Sequence, residues 1–294
     1  MKKNMMITAI MIGLFCISLN GFSQTEVEDN LSMLPEQNGA YYLQPLADAF
    51  GANLNSGFSY KADIPKVGLN IRIGVKFMGA LISETQKTFN SVEEQIAGGT
   101  IQADQELPTV FGSEEPVTVT NIQSELFGAW DTGFIPFLVP QVSVGSFMGT
   151  EATLRYFDFN IDESIGNIKV LGFGGRHSLS QYIPLCPIDI ALGFFTQTFE
   201  VGDYLDASAT TVGLQVSKGF SVIHIYGGLA YETANIDINY TPEGENIPVV
   251  LDMKANNSTR MTLGIAFDLS IFNVNVDYNV GSQNVVSGGI GLGF

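Results

Sequence analysis

Residues 66–81 alternate for longer than a strand of an ordinary globular sheet requires. Val67, Leu69, Ile71, Ile73, Val75, Phe77 and Leu81 fall on one face, and Gly68, Asn70, Arg72, Gly74, Lys76 and Met78 on the other, because successive side chains of a strand point to opposite faces. Globular strands typically run about five or six residues. An apolar face and a polar face kept up over this length is the pattern of a strand that meets lipid on one side and a polar lumen on the other. The end of the chain repeats it, with Val286, Gly288, Ile290, Leu292 and Phe294 on one face and Val285, Ser287, Gly289, Gly291 and Gly293 on the other.

The N-terminus explains how such a strand reaches a membrane. Lys2 and Lys3 precede an apolar run over residues 5–19, and Gly21-Phe22-Ser23 supplies small residues at the cleavage positions. This is a secretory signal peptide, expected to be cut after Ser23; its apolar run is shorter than the roughly 20 residues of a membrane-spanning helix. Removing residues 1–23 takes away two lysines and no acid, so the net charge of −17 becomes −19. That acidity excludes nucleic acid as a partner. One cysteine remains, Cys186, so no internal disulfide can form. The mean hydropathy is +0.20, yet no apolar stretch beyond the signal reaches helical spanning length. Apolar residues dispersed at every second position, with acids gathered in loops, satisfy both observations.

Taken in order, residues 24–37 are polar and acidic and read as a periplasmic leader with little structure. Leu43, Leu46, Ala47, Phe50 and Leu54 then recur at helical spacing, with Pro45 early in the first turn, which predicts a short amphipathic helix ending near Asn55-Ser56-Gly57. Leu43, Leu46, Phe50 and Leu54 are its plug face, set against the barrel's periplasmic end or lumen; a movable gate is the functional alternative. Residues 84–133 carry many acids and no sustained alternation, as an extracellular excursion would, with a short strand pair near 117–120. Strand signals follow at residues 141–147, 150–157, 166–174, 187–196, 206–217, 221–233, 259–269, 272–280 and 285–294. Turns are expected at Met148-Gly149, Lys218-Gly219 and Ser270-Ile271, an acidic loop at 158–163, and a second long acidic loop at 235–257.

With residues 66–81 the count is ten, an even number that returns both chain ends to the periplasm; it becomes twelve if residues 117–120 and a neighbour cross. The fold class is therefore all-β, a transmembrane antiparallel β-barrel with an N-terminal helix. Residues 1–23 are the signal, 24–57 the leader and plug, and 58–294 the barrel. The last strand should close the barrel against residues 66–81 and place its bare face near Arg72 and Lys76.

The predicted lumenal face collects Arg72, Lys76, Glu151, Arg155, Lys169, Asp189, His224, Arg260 and Asp268. Charges inside a narrow barrel must pair or meet water, since an isolated buried charge is costly. They read as a mutually satisfied network, with an anion-selecting constriction as the alternative. His177-Ser178 is the best candidate for a hydrolytic pair, without an evident third partner. Gly172-Phe173-Gly174-Gly175 and the glycines at 289–293 do not lie between a strand and a helix, so no dinucleotide site is expected. No cofactor and no metal centre is expected, and the acidic loops show no dedicated calcium spacing.

Phe50-Gly51-Ala52-Asn53-Leu54-Asn55-Ser56-Gly57, Leu107-Pro108-Thr109, Leu154-Arg155-Tyr156 and Gly174-Gly175-Arg176-His177-Ser178-Leu179-Ser180 resemble an uncharacterised family of outer-membrane barrel proteins of Bacteroidetes-type bacteria. The layout, a plug segment ahead of a barrel, is more distantly similar to the long-chain fatty-acid transporters of outer membranes. The resemblance implies residence in the outer membrane of a Gram-negative cell, with Phe294 as assembly signal. The partners would be outer-membrane lipid and lipopolysaccharide, the barrel-assembly machinery and a small hydrophobic ligand. Passive passage of a small apolar or amphiphilic molecule is the leading expectation. The alternatives are a non-transporting barrel that displays its acidic loops for adhesion or envelope organisation, and an outer-membrane lipid hydrolase; an enzyme is not expected.

Overall fold

The computed structural model describes residues 30, 31, 33–96, 99–122, 124–162, 166–240 and 249–293. The predicted signal peptide, the leader before residue 30, Glu163 and Phe294 lie outside the described residues. Among the described residues the first long element is helix α1 (Glu36–Leu54), which leads through an extended strap, residues 55–69, into β1 (Asn70–Leu81). Three two-stranded ribbons then form within residues 84–133: β2 (Thr88–Asn90) with β5 (Glu106–Pro108), β3 (Glu94–Ile96) with β4 (Gly99–Ile101), and β6 (Val117–Val119) with β7 (Ser124–Leu126). The remaining strands are β8 (Phe134–Phe147), β9 (Thr150–Asp162), β10 (Gly166–Ser178), β11 (Asp189–Val201), β12 (Leu205–Phe220), β13 (Ile223–Tyr240), β14 (Val249–Lys254), β15 (Thr259–Leu269), β16 (Phe272–Val280) and β17 (Asn284–Gly293).

One antiparallel sheet runs β12-β11-β10-β9-β8-β1-β17-β16-β15-β13, and β12 also pairs with β13. The ring is closed by ten strands, and β14 is an extra strand on the upper part of β13. β6 and β7 pair only with each other, so the twelve-stranded alternative is excluded. The predicted seam forms with Arg72 opposite Gly293 and Lys76 opposite Gly289. A Cβ on Gly289 would lie 2.7 Å from the Lys76 side chain, and one on Gly293 would lie 2.8 Å from Arg72 Cγ. The last strand is bare on this face because the two long cations fill the space.

The two ends of the barrel differ. At the turn end, strands join through Met148-Gly149, residues 179–188 with one 3-10 turn at Ser180–Tyr182, Ser221-Val222 and Ser270-Ile271. Met148, Ser221 and Ser270 take positive φ, the backbone that tight hairpins demand. The β12–β13 turn therefore falls at Ser221-Val222, later than the predicted Lys218-Gly219, because β12 runs on to Phe220. The loop end carries residues 82–133 and the β13–β14 hairpin. Two predicted acidic loops prove to be partly strand: β9 includes Asp158, and β13 and β14 occupy much of 235–257.

These strands are two-phased, which divides the barrel into two storeys. On the outside, Phe194, Val212 and Tyr231 share one row across β11, β12 and β13; the next rows are Thr196-Thr210-Thr233, Thr198-Ser208-Asn235 and Glu200-Asp206-Asp237. The inside changes in the opposite sense. Gln215, Thr211 and Glu232 give way to Ala209, Ala234, Phe199, Ala207, Ile236, Val201, Leu205 and Ile238, all buried. Below the change, an exposed apolar belt that includes Ile73, Leu154, Phe173, Leu214, Leu229, Leu263 and Ile290 surrounds a polar lumen, as hydrocarbon requires. Above it, polar strands surround an apolar core, as in a water-soluble domain.

Helix α1 fills the upper storey. Leu43, Leu46, Phe50 and Leu54 are all buried, as predicted, but so is most of the rest of the helix, apart from Glu36, Gln37, Ala40, Tyr41, Gln44 and Asp48. It begins earlier than the spacing indicated, which puts Pro45 in mid-helix rather than in the first turn, and it lies at the loop end, opposite the end that holds β17's terminus. No side chain at Pro35 caps it. Glu94, from the insertion, instead accepts hydrogen bonds from the Gln37 and Asn38 backbone N–H groups at 3.0 and 2.9 Å, supplying a negative charge where the helix dipole favours one. Ile101, Leu107, Val110, Phe111, Val119 and Leu126 of the insertion join the same apolar cluster, so the loop end is sealed by a folded cap.

Candidate functional site

The lower lumen is the one place where the structure gathers the predicted charges. Helix α1 ends at Asn55, and Gly57 at φ +75° starts the strap. A Cβ at Gly57 would sit 2.7 Å from Met78 Sδ and 3.0 Å from an Arg155 nitrogen, so only glycine combines this backbone with this closeness. The strap then descends through the lumen, held by arginines of the wall. Arg155 donates to the Ser56 carbonyl at 3.0 Å, and Arg260 to the Ala52 carbonyl at 2.9 Å and to the Ser56 hydroxyl. Arg176 donates to the Lys61 carbonyl at 3.0 Å. Backbone carbonyls of the helix end and the strap thus receive charged donors from the wall.

The charges also satisfy one another. Glu151 accepts from Arg176 at 2.5 Å and from Arg72. Arg260 Nε lies 2.8 Å from Glu232. Asp268 takes Lys61 at 2.7 Å, His224 at 3.2 Å and the Tyr60 hydroxyl. Lys76 donates to Asn275 Oδ1 at 2.7 Å, and the Asn275 amide donates on to Asp277 at 3.3 Å. Arg155, fully buried, meets neutral acceptors only: Gln141 and Gln197 at 3.0 Å each, the Ser56 carbonyl, and the Phe58 ring 3.5 Å below its guanidinium. Asp189 lies at the turn-end mouth, 3.4 Å from the Ser217 hydroxyl.

One predicted lumenal residue faces the other way. Lys169 stands on the outside of β10, 3.5 Å from Glu200, while its neighbours Ile168 and Val170 point inward and are buried against the helix core. The upper storey has reversed the pattern that assigned it. Arg176, Glu232, Asp277, Tyr60 and Lys61 belong to the network without having been on the predicted list. Arg176 and Glu232 share the strand parity of Gly174 and His224, so alternation alone could have found them. Tyr60 and Lys61 lie on the strap, which has no periodic signal.

His177 and Ser178 point to opposite faces of β10. His177 contacts Thr150 and Tyr182 at 2.8 and 2.9 Å on the outside, and Ser178, buried, contacts Ser180 at 3.2 Å. They share no geometry for proton transfer. Among the described residues no group of three or more His, Cys, Asp or Glu side chains could hold a metal ion.

A recess of about 450 Å³ opens at the turn-end mouth beside Asp63, Lys66 and Asp189, and the cavities higher up, between strap and wall, are small. A cavity of about 40 Å³ lies between the strap and β1, β16 and β17, lined by Tyr60, Arg72, Lys76, Asn273 and Asn275. Another of about 30 Å³ lies beside Phe58, Phe195 and Arg260. A buried water needs roughly 10–15 Å³ of such space, so these hold a few waters each.

The model of a family of unknown function, DUF6588, matches residues 1–294. No curated protein matches. Among solved structures, the outer membrane protease OmpT from Escherichia coli is similar at 8% identity, with 81% of this chain and 99% of that chain covered and a TM-score of 0.33. The transport unit of the autotransporter AIDA-I from Escherichia coli is similar at 12% identity, covering 88% of this chain and 98% of that one, TM-score 0.32. A mutant of the Rh. blastica porin is similar at 13% identity, covering 77% and 99%, TM-score 0.20.

Proposed function

The chain belongs to DUF6588, a family of unknown function, and from that premise we propose that it is a non-transporting outer-membrane barrel that presents its loop-end storey at the cell surface. The observation that carries this reading is the filled lumen: helix α1 and the strap down to Ile64 occupy it from the loop end to the turn end, hydrogen-bonded to Arg155, Arg176 and Arg260 of the wall. Passage of a small amphiphile, the leading expectation from layout, would require these bonds to break together.

Short turns face the periplasm and long loops the exterior in outer-membrane barrels, which directs the upper storey outward. Its exposed surface includes Glu93, Asp104, Glu106, Glu114, Glu115, Glu125, Asp131, Asp206, Asp237 and Asp252. Electrostatic complementarity then favours a basic partner. A lysine decapeptide serves as the probe, with the purified barrel in detergent. Binding is expected at low salt, to weaken as the Debye length shortens toward about 3 Å at 1 M, and to fall when Glu114, Glu115, Glu125 and Asp131 are changed to amides. Equal binding by that variant and the natural protein would remove the acidic cap as the recognition surface.

A further inference from the structure

The strap gives the chain an odd number of passes through the barrel. One strand records its descent. Phe199, near the loop end of β11, stacks on Phe50 with ring centroids 5.8 Å apart; Phe195, midway, stacks on Phe58 at 4.3 Å; Ala191, near the turn end, clusters with Ala62 and Ile64. β15 reads the same way, with Arg260 at its loop end holding Ala52 and Ser56 and Asp268 at its turn end holding Tyr60 and Lys61. At the bottom Lys66 donates to the Gln181 carbonyl at 2.8 Å and accepts from the Met148 N–H at 3.1 Å. The chain then turns and climbs again as β1. Extended, residues 55–69 can reach about 50 Å, ample for a hydrocarbon core of about 30 Å.

We propose that residues 55–69 are an eleventh transmembrane pass, so that helix α1 and the chain leading into it stand on the cell-surface side while the C-terminus stays in the periplasm. The inference rests on the outward direction given to the loop end above. It changes what the barrel displays: the N-terminal region, entering at Asn30 and exposed at Glu36 and Gln37, becomes part of the surface beside the insertion. It also constrains assembly. Strap and β1 form a down-and-up hairpin, and the N-terminal region must be in place before β1 and β17 close the seam.

Cysteine accessibility tests this in intact cells with a membrane-impermeant maleimide. The native Cys186 is a free thiol in the turn-end connection and reports the periplasmic side. Gln37→Cys and Glu115→Cys, each in a Cys186→Ser background, report the helix start and the insertion; both side chains are exposed. Heat-modified gel mobility verifies that each variant is folded. Labelling of positions 37 and 115 in intact cells, with Cys186 labelled only after the outer membrane is permeabilised, is the expected result. Labelling of position 115 with protection of position 37 would overturn the eleventh pass and leave the outward direction standing. Protection of position 115 with labelling of Cys186 would overturn the direction itself, and the inference with it.

Discussion

Arg155 has no exposed surface and, among the described residues, no carboxylate in ion-pair contact; it is kept by the strap. Its three donor contacts and the Phe58 ring are all neutral. Truncating it leaves the Ser56 carbonyl and two amide oxygens without donors, each worth about 1–3 kcal/mol when buried unsatisfied. Arg155→Met is therefore expected to destabilise the closed barrel by about 3 kcal/mol or more, measured as a lower temperature for the heat-modified mobility shift. Outside the membrane belt, Asp237 lies between Asp206 and Asp252 across two strand pairs. Partial desolvation, then the facing Asp252 and Asp206, push its pKa up. A carboxyl that binds its proton more tightly in the folded state weakens the fold at neutral pH, and weakens it less as the pH falls into the carboxylate range. Asp252→Asn is expected to stabilise by about 0.2–1 kcal/mol at pH 7, and the gain should vanish near pH 4, as denaturant titrations at the two pH values would read. Alternation identified most of the lumenal charges at this scale. It failed at Lys169, because the residues beside it turn inward to cover a helix.

The elements were legible where one face stayed apolar throughout. β1, β15, β16 and β17 lie within a residue or a few of their expected bounds. β13 was cut short because its apolar phase inverts: Ile225, Leu229 and Tyr231 on one parity, Ala234, Ile236 and Ile238 on the other. The inversion resembles the end of a strand followed by an acidic loop, yet its cause is a change of solvent outside and of filling inside. Helix α1 was recognised by spacing, but its start was hidden because its capping carboxylate, Glu94, is remote in sequence. Adjacent residues on β13 test the storey boundary. Thr233 points out into the polar zone, while Ala234 is buried and would lie 2.8 Å from a Cβ placed on Gly51. Thr233→Asp should leave membrane yield unchanged within error, whereas Ala234→Asp, burying an unpaired charge against the helix, should reduce folded yield severalfold on the same heat-modified gels.

As a whole the molecule is a barrel that holds its own N-terminal segment where a channel would otherwise be. Acidic side chains crowd the exposed surface of the upper storey, and the lumen itself holds hydrogen-bonded charges, three of them arginines fastened to the helix end and strap. The filling of the lumen was not legible in the sequence, because the strap alternates with neither period and its partners, Arg155, Arg176 and Arg260, are separated from it by 99 residues or more. Conductance of the unmodified protein across a planar lipid bilayer tests this closure most directly. No steady current above the protein-free membrane is expected at moderate voltage and neutral pH; a stable ohmic open state in the natural, fully folded protein would contradict a lumen closed by its own strap.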